Sequence, residues 1–95
     1  MTYNDLFFRI HAIERMLEQD ISEVEVRDVL ENGEVIEETV DQFGARKLLH
    51  LHVVAGRPLH VLTIDDDEVR RTEIITAYEP DLDRWQPGFR TRNRP

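Results

Sequence analysis

Apolar residues at Leu6, Ile10, Ile13 and Leu17 recur at steps of four, three and four, which draws one stripe along an amphipathic helix with Met16 at its edge. The pattern breaks at Asp20. Ser22-Glu23-Val24-Glu25 then spells a capping box, in which the Ser22 hydroxyl accepts from the Glu25 amide while the Glu25 carboxylate accepts from the Ser22 amide. Ile21 and Val26 stand where a hydrophobic staple belongs. The second helix buries Val26, Val29 and Leu30 and stops at Asn32-Gly33, where glycine is expected to take the left-handed conformation.

From Glu34 the period changes to two and β-branched residues dominate. Strands are predicted around Val35-Ile36 and Thr39-Val40, over Leu48 to Val54, over Leu59 to Ile64, and over Val69 to Tyr78. Ala55-Gly56-Arg57-Pro58 reads as a tight hairpin, and Asp65-Asp66-Asp67 with Glu68 as a charged turn. Links this short forbid parallel crossovers. The expected fold is therefore a single α+β domain in which two N-terminal helices pack on one face of a four-stranded antiparallel β-meander. Ile74-Ile75 is apolar on both faces, so the last strand lies inside the sheet or is covered by the tail. Trp85 and Phe89 are expected to dock, leaving Arg90 to Pro95 frayed.

Length and composition narrow the chemistry. Ninety-five residues with 40% hydrophobic positions support one domain over residues 1–95, its core at about 5–85 and a basic C-terminal tail at 86–95. There is no cysteine, which excludes disulfides, thiolate metal sites and a cysteine nucleophile. The opening Met-Thr-Tyr-Asn-Asp has no signal-peptide pattern, and no apolar run approaches the roughly 20 residues of a membrane helix, so the expected location is the cytoplasm without membrane contact. Residues 1–83 hold all 20 acidic residues and 8 basic ones, a net of −12, whereas Arg84, Arg90, Arg92 and Arg94 follow with no acid. An acidic body repels a phosphate backbone, so charge alone disfavours RNA as a partner.

Candidate chemistry is confined to histidines, carboxylates, arginines and Tyr78. His11 and Arg15 stand one helical turn apart, opposite the apolar stripe. They form either a solvated face with Glu14 and Glu18 or a neutral imidazole beside a fixed cation, a pairing suited to phosphate chemistry. His50 and His52 share a sheet face. If Val54 pairs with Pro58, His60 joins them within reach of one tetrahedral ion, while a one-residue slip sends it to the other face. No further ligand motif supports a metal, and no phosphate loop or dinucleotide fingerprint calls for a cofactor. Glu37 and Glu38 read as an acidic sheet edge guarded against pairing with other chains. Tyr78 and Arg57 are the remaining polar groups a small sheet can present.

Several segments in one order carry a resemblance. His11-Ala12-Ile13-Glu14-Arg15-Met16, Ile21-Ser22-Glu23-Val24-Glu25, Leu30 to Glu37, Gly56-Arg57-Pro58-Leu59-His60-Val61 and Ile74 to Asp81 together resemble the domain-of-unknown-function family 4258. That family brings no established activity. At longer range, the two-helix-then-meander layout and the Ile-Ile-x-Ala last strand are similar to small bacterial ribonuclease toxins of the RelE and BrnT type. That resemblance implies a metal-independent RNA-cleaving site at His11, Arg15, His60 and Tyr78. His11 or His60 would be the base, Arg15 an anion clamp, and Tyr78 a stacking or proton-donating group, with an antitoxin or other protein as partner. A non-catalytic protein-interaction module is the alternative, and a metal-binding protein the third.

Overall fold

A computed structural model describes residues 5–66 and 71–94. Its elements run β1 (Asp5–Phe8), α1 (Ile10–Gln19), α2 (Glu23–Asn32), β2 (Glu34–Val40), β3 (Arg46–Val54), β4 (Arg57–Asp66) and β5 (Arg71–Tyr78). The sheet has five strands in the order β1-β5-β4-β3-β2; β1 runs parallel to β5 and the other pairs are antiparallel. This mixed sheet overturns the expected four-stranded antiparallel meander. Leu6, read as the first position of the apolar helical stripe, instead lies in β1, where Leu6-Phe7-Phe8 pairs with Thr72, Glu73 and Ile74. Four residues are too few to show a period, so long-range pairing with β5 decides their conformation. Asp65 and Asp66, read as part of a charged turn, instead extend β4 and pair with Thr72 and Arg71, while Asp67 and Glu68 of that turn and Val69 and Arg70 of the predicted last strand lie outside the described residues.

Local signals hold where they are short. The Ser22 amide donates to Glu25 Oε1 at 2.9 Å and the Glu25 amide to Ser22 Oγ at 3.1 Å, which completes the capping box. Gly33 ends α2 for a different reason than expected. Its φ of −81° is open to any residue. A Cβ there, however, would stand 2.5 Å from the Val29 carbonyl oxygen and 2.6 Å from that of Leu51. Glycine is needed because backbone passes close, not because the chain turns left-handed.

The helices cover one face of the sheet. Ala12, Met16, Ile21, Val26, Val29 and Leu30 pack with Leu59, Val61, Ile74 and Ala77. The expected buried stripe is not the one used: Ile10 and Leu17 are 75% and 78% exposed, while Ala12 and Met16 face inward. Arg57 ties the hairpin to the end of α1, donating to the Gln19 and Asp20 carbonyls at 3.2 and 2.8 Å. That pairing occupies one of the polar groups left open by the sequence.

The hairpin register settles the histidines. Ala55 and Gly56 both take positive φ, 51° and 81°, so the loop is two residues long and Val54 pairs with Arg57. His52 then faces Leu59, and His60 faces Leu51, one residue away from the pairing a shared ion requires. His50 and His52 lie with the helices and His60 points to the opposite face. Among the described residues no group of three His, Cys, Asp or Glu is placed to hold a metal. No helix among them is long and apolar enough to cross a membrane.

Candidate functional site

The sheet face away from the helices is covered by the segment after β5. Asp81 Oδ1 accepts from the Asp83 and Arg84 amides, which turns the chain. Gly88 and Phe89 then adopt positive φ, and a bridge between Trp85 and Arg92 closes the loop. Trp85 is buried as expected, but Arg90 and Arg92 are not frayed. Arg92 forms a two-point pair with Glu37 on β2 at 2.8 and 3.0 Å, Arg90 pairs with Glu34, and the Asn93 amide donates to the Arg84 carbonyl. The acidic edge strand that guards the sheet also anchors the basic tail.

His60 sits beneath this segment, fully buried. Its ring meets Trp85 edge to face at 4.5 Å and Tyr78 at 5.3 Å. Nε2 lies 2.9 Å from the Phe89 carbonyl oxygen, which can only accept, so Nε2 carries the hydrogen. Nδ1 is thereby left with its lone pair, and the Tyr78 hydroxyl, 3.1 Å away, donates to it. Burial lowers the His60 pKa, against the opposing Phe89 hydrogen bond, and so favours the neutral ring. Burial also raises the pKa of Tyr78, opposed by Arg92. The result is a hydroxyl held against an imidazole whose tautomer a third group fixes.

Tyr78 opens on its other side into a cleft of about 180 Å³, lined by Arg15 and Gln19 from α1, by Glu79, Pro80 and Asp81, and by Arg84, Trp85 and Arg92. Three guanidinium groups therefore share one small hollow. Arg15 lies 5.8 Å from the Tyr78 ring centroid, and Arg92 lies 4.7 Å from that of Trp85. Arg92 is engaged by Glu37, whereas among the described residues neither Arg15 nor Arg84 has a carboxylate in ion-pair range. Arg15 Nε is buried without a hydrogen-bond partner, a donor that lacks its acceptor. Glu79 and Asp81 sit at the same cleft, and Asp81 spends one oxygen on backbone amides.

Of the four candidate residues, Arg15, His60 and Tyr78 come together. His11 is exposed on α1 and takes no part in the cleft. Arg84 and Arg92 were missed, because arginines in a Pro- and Gly-containing tail read as a solvated end. The larger hollow, about 540 Å³, is lined by Gly33, Leu51, His52, Pro58, Phe89 and Arg90 among others, and Arg90 there is already paired with Glu34. His50, by contrast, is a packed histidine. It bonds Thr63 at 3.0 Å, and burial lowers its pKa.

The fold and the cleft define a small mixed-sheet α+β protein with a cationic pocket at the end of its β5 strand. The chain belongs to the family described as a domain of unknown function (DUF4258), which it matches over residues 8–79. Arg15, His60 and Tyr78 lie within the matched segment; Arg84, Trp85 and Arg92 lie beyond it. No curated protein and no solved structure matches the chain, so the resemblance to RelE and BrnT-type toxins gains nothing from these comparisons.

Proposed function

We propose that the chain is a metal-independent endoribonuclease that holds a phosphodiester of single-stranded RNA in the Arg15-Tyr78-Arg84-Arg92 cleft. The observation that carries this reading is the meeting of three guanidinium groups, one with a buried unpartnered Nε–H, with a tyrosine hydroxyl backed by a neutral imidazole. Guanidinium donors match phosphate oxygens and stabilise the charge that grows on them during displacement. The 2′-hydroxyl attacks the adjacent phosphorus while its proton passes to Tyr78 Oη and the phenolic proton passes to His60 Nδ1. The bond to the 5′-oxygen breaks, water at the open mouth of the cleft protonates that oxygen, and a 2′,3′-cyclic phosphate remains. The acidic remainder of the chain weakens contact with RNA away from the cleft, which makes binding local and salt-sensitive.

Incubating the purified protein at low salt with a short single-stranded RNA in the presence of EDTA tests this reading. The expected products end in cyclic phosphate, and Tyr78→Phe or Arg15→Ala slows their formation by about 100-fold or more. A deoxynucleotide at the cleaved position blocks the reaction. Intact RNA, or cleavage undiminished in Tyr78→Phe, overturns the proposal. The non-catalytic alternative, an interaction module, draws on a separate observation: the exposed apolar side of α1.

A further inference from the structure

The apolar arc of α1 runs past the part of the helix that the sheet covers. Ala12 and Met16 meet the core, but Ile10, Ile13 and Leu17 are 75%, 45% and 78% exposed, and Val24 at the start of α2 is exposed as well. Ile10, Ile13 and Leu17 have the i, i+3, i+7 spacing of residues that anchor one helix against another. Single exposed apolar side chains are ordinary; a row of three on one helical ridge marks a contact surface. On the helical wheel the ridge is bordered on one side by Met16, which is buried, and on the other by Glu14 and Glu18, which are exposed. Among the described residues neither glutamate has a cation in ion-pair range.

We propose that this ridge docks an amphipathic helix of a partner protein whose flank is basic. Its leucine-like residues would cover Ile10, Ile13 and Leu17, and its lysines or arginines would meet Glu14 and Glu18. Charge complementarity selects this occupant over a second copy of the chain. Two copies packed antiparallel through the ridge would set like flanks together, so Glu14 and Glu18 of each would face the same pair of the other. Two bodies of net charge −8 also repel. The proposal does not depend on the RNA reading, since the ridge and the cleft use different residues.

The test uses the full chain and a synthetic helical peptide with leucines at i, i+3, i+4 and i+7 and lysines elsewhere. A scrambled peptide of the same composition, with its leucines spread round the helix, serves as the control. The patterned peptide is expected to bind at physiological salt and the scrambled one about tenfold or more weakly. Leu17→Ser weakens binding of the patterned peptide by about tenfold or more through lost apolar contact. The double variant Glu14→Lys, Glu18→Lys loses the lysine peptide and gains its glutamate counterpart. These positions are exposed, so circular dichroism should confirm an unchanged fold in each variant. Equal binding of patterned and scrambled peptides overturns the proposal, as does retention of binding by Leu17→Ser. Sedimentation showing a dimer that Leu17→Ser dissolves also overturns it, in favour of a second copy.

Discussion

Replacing His60 by leucine removes the group that joins β4, β5 and the C-terminal segment. The Phe89 carbonyl and the Tyr78 hydroxyl each lose a partner, at about 1 to 1.5 kcal/mol apiece. The two edge-to-face contacts, with Tyr78 and Trp85, add about 0.5 kcal/mol or more each. Leucine returns part of this because it is cheaper to bury, which leaves a net loss of about 2 to 3 kcal/mol. Against the usual 5 to 15 kcal/mol of a domain this is large but survivable. Trp85 is the only tryptophan, so its fluorescence reports docking of the tail directly. Urea unfolding followed in parallel by that fluorescence and by far-ultraviolet circular dichroism should show a lower midpoint and red-shifted native emission. An unchanged midpoint and unchanged emission would refute the idea that His60 clamps the tail.

Two further outcomes follow from the fold. Gly33→Ala forces a Cβ to within 2.5 and 2.6 Å of two backbone oxygens, so α2 or β3 must shift, and the midpoint should fall by the equivalent of about 1 to 3 kcal/mol; a neutral substitution would show that the approach is slack. Burial lowers the pKa of both His50 and His60, so below their ordinary value of about 6.5 the unfolded chain binds more protons than the folded one. Stability should therefore be full above that value and fall as pH drops through it, less steeply in His60→Leu; a flat profile between pH 7.5 and 5.5 would contradict the burial.

What the sequence shows depends on how far the deciding contacts reach. The capping box needs only Ser22 to Glu25, and it is read correctly. The hairpin is located correctly but its register stays open in the sequence, and it is decided by Ala55, a non-glycine that takes positive φ and makes the loop two residues long. That single step moves His60 to the face where it meets Trp85 and Tyr78. On α1 the amphipathic pattern is plain, yet which part of the apolar arc meets the core depends on how the helix is set on the sheet. Small Ala12 lies against the core while Ile10 and Leu17 do not. For β1, pairing with β5 some 66 residues away leaves no local trace. Arg84 and Arg92 had an indirect signal in the aromatic residues beside them: a docked Trp85 carries its neighbours with it, and Glu37 offers Arg92 a partner.

The central claim is that the cleft recognises the phosphate of RNA through Arg15, Arg84 and Arg92. The most direct measurement is calorimetric titration of the protein with a short 2′-O-methyl RNA, which binds but cannot be cleaved, across a series of salt concentrations. The account predicts an affinity that falls linearly on logarithmic axes with a slope of about −1.4, as roughly 0.7 per contact on a single strand gives for Arg15 and Arg84, the charge of Arg92 being already met by Glu37. The slope should become shallower by about one contact in Arg15→Ala and again in the Arg15→Ala, Arg84→Ala double variant. No binding at low salt, or a slope and affinity unchanged in the double variant, would contradict it.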